Sequence, residues 1–210
     1  GAGPAWRWDD GGPTRHGLSG AQAYLGAGVL GWSAGLAARG DAVDGGATEA
    51  VAGPRAGVAA RAGALVASTW VEAQGGSYAH LGAGGELRAE QPVGRVTLAS
   101  RMALSAAPLP SSPWWRWPAA GGVDALRGLP SGRARAPLLS EAQLELRGPV
   151  WGPLVGAAFV DGAVADGPYW TAGAGLRLRV PPGDEADIRL DVAYTSTGEP
   201  GLVLGFGEAF

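Results

Sequence analysis

The chain has 210 residues, 38 of them Gly and 16 Pro, with 19 acidic against 16 basic side chains and a net charge of −3. That balance argues against a nucleic-acid surface, which needs a basic excess. No run approaches the roughly 18–20 apolar residues of a membrane helix, and the absence of Cys removes disulfide scaffolds and thiolate metal sites. Every basic residue is Arg and Asn is absent, which together with the Gly and Ala excess reads as the bias of a GC-rich coding sequence. No G-X-Y period accompanies the glycines, so they do not signal collagen. The chain opens on Gly1 without a signal-peptide pattern, which fits a mature or cropped chain as well as a cytosolic one.

Alternation and turn chemistry predict twelve strands in chain order. The first four fall near 3–9, 17–28, 30–40 and 50–60. Pro54 would interrupt the ladder of a central strand, so the fourth is expected to begin after it. Strands near 64–74, 78–90 and 94–105 follow, the last two divided by Gln91-Pro92-Val93-Gly94. One long connection, 106–137, leads to strands near 138–148, 154–163, 168–180, 186–195 and 201–210. Alternation is strictest in this C-terminal part. Glu141, Gln143, Glu145 and Arg147 alternate with Ala142, Leu144 and Leu146. Thr171, Gly173, Gly175 and Arg177 alternate with Trp170, Ala172, Ala174 and Leu176, and Arg189 and Asp191 with Ile188, Leu190 and Val192. Period two places each set on one face of a strand, whereas a helix would mix them.

The connections alternate in length, with 10–16, 41–49, 106–137 and 196–200 the longer ones. Outer-membrane barrels are built with short periplasmic turns and longer outer loops. Alternation by itself leaves two architectures open. A soluble sandwich would bury the Trp, Leu and Phe set; a membrane barrel would turn that set outward and keep Arg, Glu and Asp in a wet lumen.

Four motifs from about Trp114 onward resemble the conserved end of the BamA/TamA family, also called the bacterial surface antigen family. They are Gly121-Gly122 with Leu126-Arg127-Gly128-Leu129-Pro130-Ser131-Gly132-Arg133, Glu145-Leu146-Arg147, Phe159-Val160-Asp161-Gly162, and Gly173-Ala174-Gly175-Leu176-Arg177 followed by Arg189-Leu190-Asp191. Near the N-terminus, Trp8-Asp9-Asp10-Gly11-Gly12-Pro13-Thr14 and Gly17 are similar to a strand and loop of the same family. Leu129 departs from the aromatic that usually follows Arg-Gly. The resemblance implies an all-β fold and an antiparallel transmembrane β-barrel, here of the roughly twelve strands that alternation counts, forming one domain over 1–210, with loop 106–137 folding toward the lumen. It also implies that Arg127 and Gly128 sit at that loop's tip and that Arg127 joins Glu145, Asp161 and Arg177 in a lumen network. The rival expectation is a set of separately solvated charges, each contributing at most about 1 kcal/mol. The family carries periplasmic POTRA domains before a sixteen-stranded barrel, so this chain is expected to be a crop or a reduced relative.

The last strand places Leu202, Leu204, Phe206 and Phe210 on one face and Gly205 and Gly207 on the other. A C-terminal strand ending in Phe resembles the signal by which outer-membrane proteins are recognised for insertion. The glycines are expected to weaken its packing, and the family's first and last strands are thought to part laterally. Trp6, Trp8, Trp32, Trp151 and Trp170 fit an interfacial aromatic girdle, and Trp114-Trp115-Arg116-Trp117 a girdle or loop packing. His16 and His80 are not spaced as a metal pair; Ser68, Ser100 and Ser140 have no evident His partner; Asp9-Asp10-Gly11-Gly12 lacks the spacing of a calcium loop and reads as a turn. No enzyme activity, cofactor or metal is therefore expected. The leading expectation is a barrel of the cell outer membrane that inserts or translocates client polypeptides, with outer-membrane lipids and periplasmic assembly factors as partners. The alternatives are an anchor or export barrel for a separate hydrolase domain, and a small passive pore.

Overall fold

The computed structural model describes residues 5–9, 12–27, 30–42, 48–179 and 187–206, with side chains described mainly over 51–178 and 188–205. Among the described residues the regular structure is almost entirely β. Its strands are β1 (Ala5–Asp9), β2 (Gly12–Ala27), β3 (Leu30–Ala42), β4 (Thr48–Ala62), β5 (Leu65–Gly76), β6 (His80–Val93) and β7 (Val96–Ala106). A long loop holds the two-residue strands β8 (Ala119–Ala120) and β9 (Ala134–Arg135), and β10 (Leu138–Trp151), β11 (Leu154–Val164), β12 (Pro168–Arg179), β13 (Asp187–Thr195) and β14 (Pro200–Phe206) complete the chain. Among the described residues the helical content is one 3-10 turn, Trp114–Arg116.

The residues pack as two compact units. The first comprises Gly1–Glu86 with Leu104–Pro118 and Ala136–Leu138. In it β1 to β5 pair antiparallel in chain order, followed by the start of β6. The second comprises Leu87–Ala103, Ala119–Arg135 and Leu139–Phe210. There the end of β6, then β7, then β10 to β14 are neighbours in chain order, and β8 and β9 form a ribbon of their own.

Two sequence-based boundaries differ from the structure. β4 does not start after Pro54 but runs through it, with Pro54 opposite Leu36 of β3. On the other side the β4–β5 ladder holds Ala52↔Gly75 and Arg55↔Glu72 and skips Gly53 and Pro54, so the residue without an N–H interrupts one ladder locally rather than ending the strand. Gly53 permits this, because a Cβ there would overlap the carbonyl of Ala73. β2 also begins earlier than expected: Asp9 pairs with Gly12, and the ladder includes Thr14 and Arg15, which the predicted 10–16 connection assigns to a loop.

The side-chain faces of the second unit bear on the two architectures left open by alternation. Gln143, Glu145 and Arg147 of β10, Asp161 of β11, Thr171 and Arg177 of β12, and Arg189, Asp191 and Thr195 of β13 are all buried. The intervening Leu144, Leu146, Val160, Trp170, Leu176, Leu190, Val192, Leu202 and Leu204 are exposed. Water rewards the opposite arrangement, since buried charge is costly and apolar surface prefers burial.

Candidate functional site

Antiparallel register assembles the buried face of β10 to β14 into rows. One runs Gln143, Asp161, Thr171, Thr195; the next Glu145, Phe159, Gly173, Ala193, Gly201. A third runs Arg147, Ala157, Gly175, Asp191, Val203, and a fourth Val155, Arg177, Arg189, Gly205. The glycines make room for long neighbours to lie flat. A Cβ on Gly173 would stand 2.6 Å from the Phe159 ring, and one on Gly175 would overlap Asp191 and stand 2.8 Å from Arg177.

The loop between β7 and β10 lays its tip on these rows. Leu126-Arg127-Gly128-Leu129 is a turn closed by the Leu129 N–H donating to the Leu126 carbonyl at 3.0 Å. Both leucines are buried with Ala120, Ala134, Leu139 and Ala163. Leu129 thus supplies the loop's packing where an aromatic was the family pattern. Leu126 takes a positive φ of 50°, uncommon for a side chain with Cβ; its burial holds the tip in that shape. Gly128, at φ 91°, could carry no Cβ, which would fall 2.9 Å from the Ala193 Cβ.

Arg127 is 0 % exposed and spends its donors on two strands. Its Nε and Nη2 fork onto Asp161 at 2.9 and 2.7 Å, its backbone N–H donates to the same carboxylate at 3.0 Å, and Nη1 donates to Glu145. Asp191 Oδ2 lies 3.8 Å away, and the guanidinium stacks on Phe159 with its carbon 3.6 Å from the ring centroid. Arg177 donates to Glu145 at 3.1 Å and to Asp191, and Arg147 donates to Glu145 at 2.6 Å and to Glu90 at 3.1 Å. Thr171 adds a hydroxyl to Asp161 at 3.3 Å. The inner set is balanced, with Arg127, Arg147 and Arg177 against Glu145, Asp161 and Asp191. Burial works against the charge of Arg127, but the Asp161 and Glu145 carboxylates outweigh it and raise its pKa above the ordinary arginine value.

The structure therefore brings together Arg127, Gly128, Glu145, Asp161 and Arg177. It adds Phe159, Thr171 and Gln143, whose amide donates to the Asp124 carbonyl at 3.0 Å. Strand parity marked Gln143 and Thr171, and it also put Phe159 two residues before Asp161 on the same face, but only the return of the loop shows that its ring lies under Arg127. Gly205 differs from expectation. Its missing side chain leaves no gap, because Arg189 occupies the space. The side chain of Phe206, and Gly207 and Phe210 altogether, lie outside the described residues.

A second polar cluster sits in the first unit. His80 Nδ1 is 3.0 Å from Ser112 Oγ, and its Nε2 is 3.3 Å from Glu72 Oε1. Arg116 donates to Gln74 and lies 3.7 Å from Glu72, and Arg55 donates to Glu72 at 3.4 Å. The His–Ser contact spans 32 residues and involves none of the serines singled out from sequence. These buried groups tie the start of the long loop to β5 and β6. Trp114, half exposed, packs edge-on against Trp115, and the Trp117 indole donates to the Ser112 carbonyl at 3.2 Å, which ties Trp117 into the loop. Trp151 and Trp170 are exposed, while the side chains of Trp6, Trp8 and Trp32 lie outside the described residues.

No protein-family profile matches the chain, and no curated protein matches it by sequence. Among solved structures it is similar to "BamA from Haemophilus ducreyi lacking POTRA domains 1-3", at 14 % identity and a TM-score of 0.66. The match covers 92 % of this chain and 53 % of that one, so the chain spans about half the length of its structural neighbour. At this identity the likeness is one of fold, and the fold it indicates is a BamA-like β-barrel.

Proposed function

We propose that the chain is a β-barrel of the bacterial cell outer membrane, of about twelve strands, that inserts or translocates client polypeptides through a weak seam between its first and last strands. The observation that carries the membrane part is the inverted distribution of side chains, with Arg127, Arg177 and Asp191 fully buried while Leu176, Leu190 and Leu202 are exposed. The likeness to BamA supports the client-handling part. In this reading Arg127, Gly128, Glu145, Asp161 and Arg177 hold the loop inside the barrel, and Gly205, Phe206, Gly207 and Phe210 belong to the seam and to a C-terminal recognition signal. Its partners are outer-membrane lipids, client polypeptides and periplasmic assembly factors, and it works without catalysis or cofactor. A passive pore fits less well, because the loop tip covers the charged rows of β10 to β14.

The membrane reading is tested by fractionation and gel migration. The protein should co-sediment with outer membranes and migrate faster unheated than boiled, since a closed barrel offers no free edge at which unfolding starts. A chain that remains monomeric and soluble without detergent would rule the reading out.

A further inference from the structure

The last strand is held from inside as well as through its ladder. Within the second unit β14 pairs with β13, from Ile188↔Phe206 to Tyr194↔Pro200. Its buried-face positions are Gly201, Val203 and Gly205, and both glycines are occupied from elsewhere. Gly201 lies under the loop tip, where a Cβ would overlap the backbone of Gly128. Gly205 lies under Arg189, its direct partner in β13, where a Cβ would stand 2.6 Å from Nε and 3.3 Å from Cζ. The far end of Arg189 reaches the loop, with Nη2 donating to the Val123 carbonyl and to Asp124 Oδ1 at 3.0 Å.

We propose that Arg189 is a positioning residue for β14: laid across Gly205 and tethered to Val123 and Asp124, it braces the last strand against the loop, and its release is the step that frees that strand. The proposal rests on the reading that the protein opens at β14. Two features make Arg189 the movable half of the brace. Asp124 is 76 % exposed, so its ion pair competes with water. Among the described residues Nε and Nη1 of Arg189 also meet no acceptor, and buried donors left unmet make its seat a costly one. Gly128 is different, because the neighbouring Arg127 fixes it through Asp161 and Glu145. Arg189 can therefore leave while the Arg127 network stays intact.

Hydrogen exchange on the folded full chain in lipid vesicles tests this. Arg189→Ala should speed exchange of the β14 amides by at least about tenfold, a local opening that leaves β10 to β12 protected. Arg189→Lys, which keeps the charge and a donor group but loses the planar fork, should fall between. Unchanged exchange in β14, or equal loosening of every strand from β10 to β14, would overturn the proposal. Should Arg189→Ala fail to fold, Gly205→Ala serves instead: its methyl displaces the guanidinium without removing the charge and should loosen the same strand, and a fully protected β14 in that variant would count equally against the brace. Client insertion measured on the same variants separates the two readings. Loosened β14 amides with unaltered insertion would sink the opening function and leave the brace standing.

Discussion

Arg127 shows how one side chain organises a loop of some thirty residues. With 0 % exposure it has no water to fall back on, and neither have Glu145 and Asp161. Removing one member of such a set strands the others as buried, uncompensated charges. Arg127→Ala should therefore destabilise the folded protein by about 3–5 kcal/mol, as for other buried pairs broken on one side. Denaturant midpoints of the heat-modifiable form measure this. Arg127→Lys should recover little, because a point charge does not reproduce the fork onto Asp161. Exposed Arg133 in the same loop is the proper control, and Arg133→Ala should stay within about 0.5 kcal/mol of the parent. Arg116, which sequence position alone makes a natural comparison, is unsuitable, since it is buried against Gln74 and Glu72. A loss from Arg133→Ala equal to that from Arg127→Ala would return the network to a set of independent charges.

The strands themselves were legible from sequence because period two is a property of the backbone. Residues i and i+2 share a face whatever the chain later packs against. Ends were less legible. Pro54 signals a missing donor, but only the neighbouring strands determine which ladder loses it. At the β10–β11 turn, a register shift between Pro149 and Trp151 brings Trp151 opposite Leu154 and leaves it 82 % exposed. Such a bulge re-aims a side chain in a way that no alternation pattern shows. The face assignment makes a sharp prediction for β12. Leu176 is exposed at mid-strand, so in a water-soluble sheet Leu176→Arg would be harmless. In a membrane barrel it should cost about 2–4 kcal/mol near the bilayer midplane. Folding yield into vesicles reads the difference, and normal insertion of this variant would contradict the outward face of β12.

At the scale of the whole molecule the proposal turns on the first and last strands. The chain has no Cys, so single-cysteine pairs can be placed between residues 5–9 and 202–206 without background. Disulfides are expected for pairs whose Cα atoms approach to about 4.4–6.8 Å. Locking the seam should abolish client insertion while preserving heat-modifiable migration. Full activity of a locked, folded barrel would exclude lateral opening. If no pair cross-links in a chain that inserts into membranes, the first strand of the working barrel is not Ala5–Asp9.

What the sequence by itself determined is what depends on local chemistry. Alternation set the strands and their two faces, Pro and Gly set most turns, and strand parity marked Glu145, Asp161 and Arg177 as groups able to pair, to which the family resemblance added Arg127. Tertiary structure decided which face is buried, because alternation has the same period whether the apolar side meets a core or a lipid. It also decided what the glycines are for. Gly205 reads in sequence as a weak point in a strand, yet Arg189 fills the space that it leaves. His80 and Ser112, 32 residues apart, meet only because the long loop returns onto β5 and β6. Contacts of that kind depend on where the chain comes back, and no local pattern of residues encodes the return.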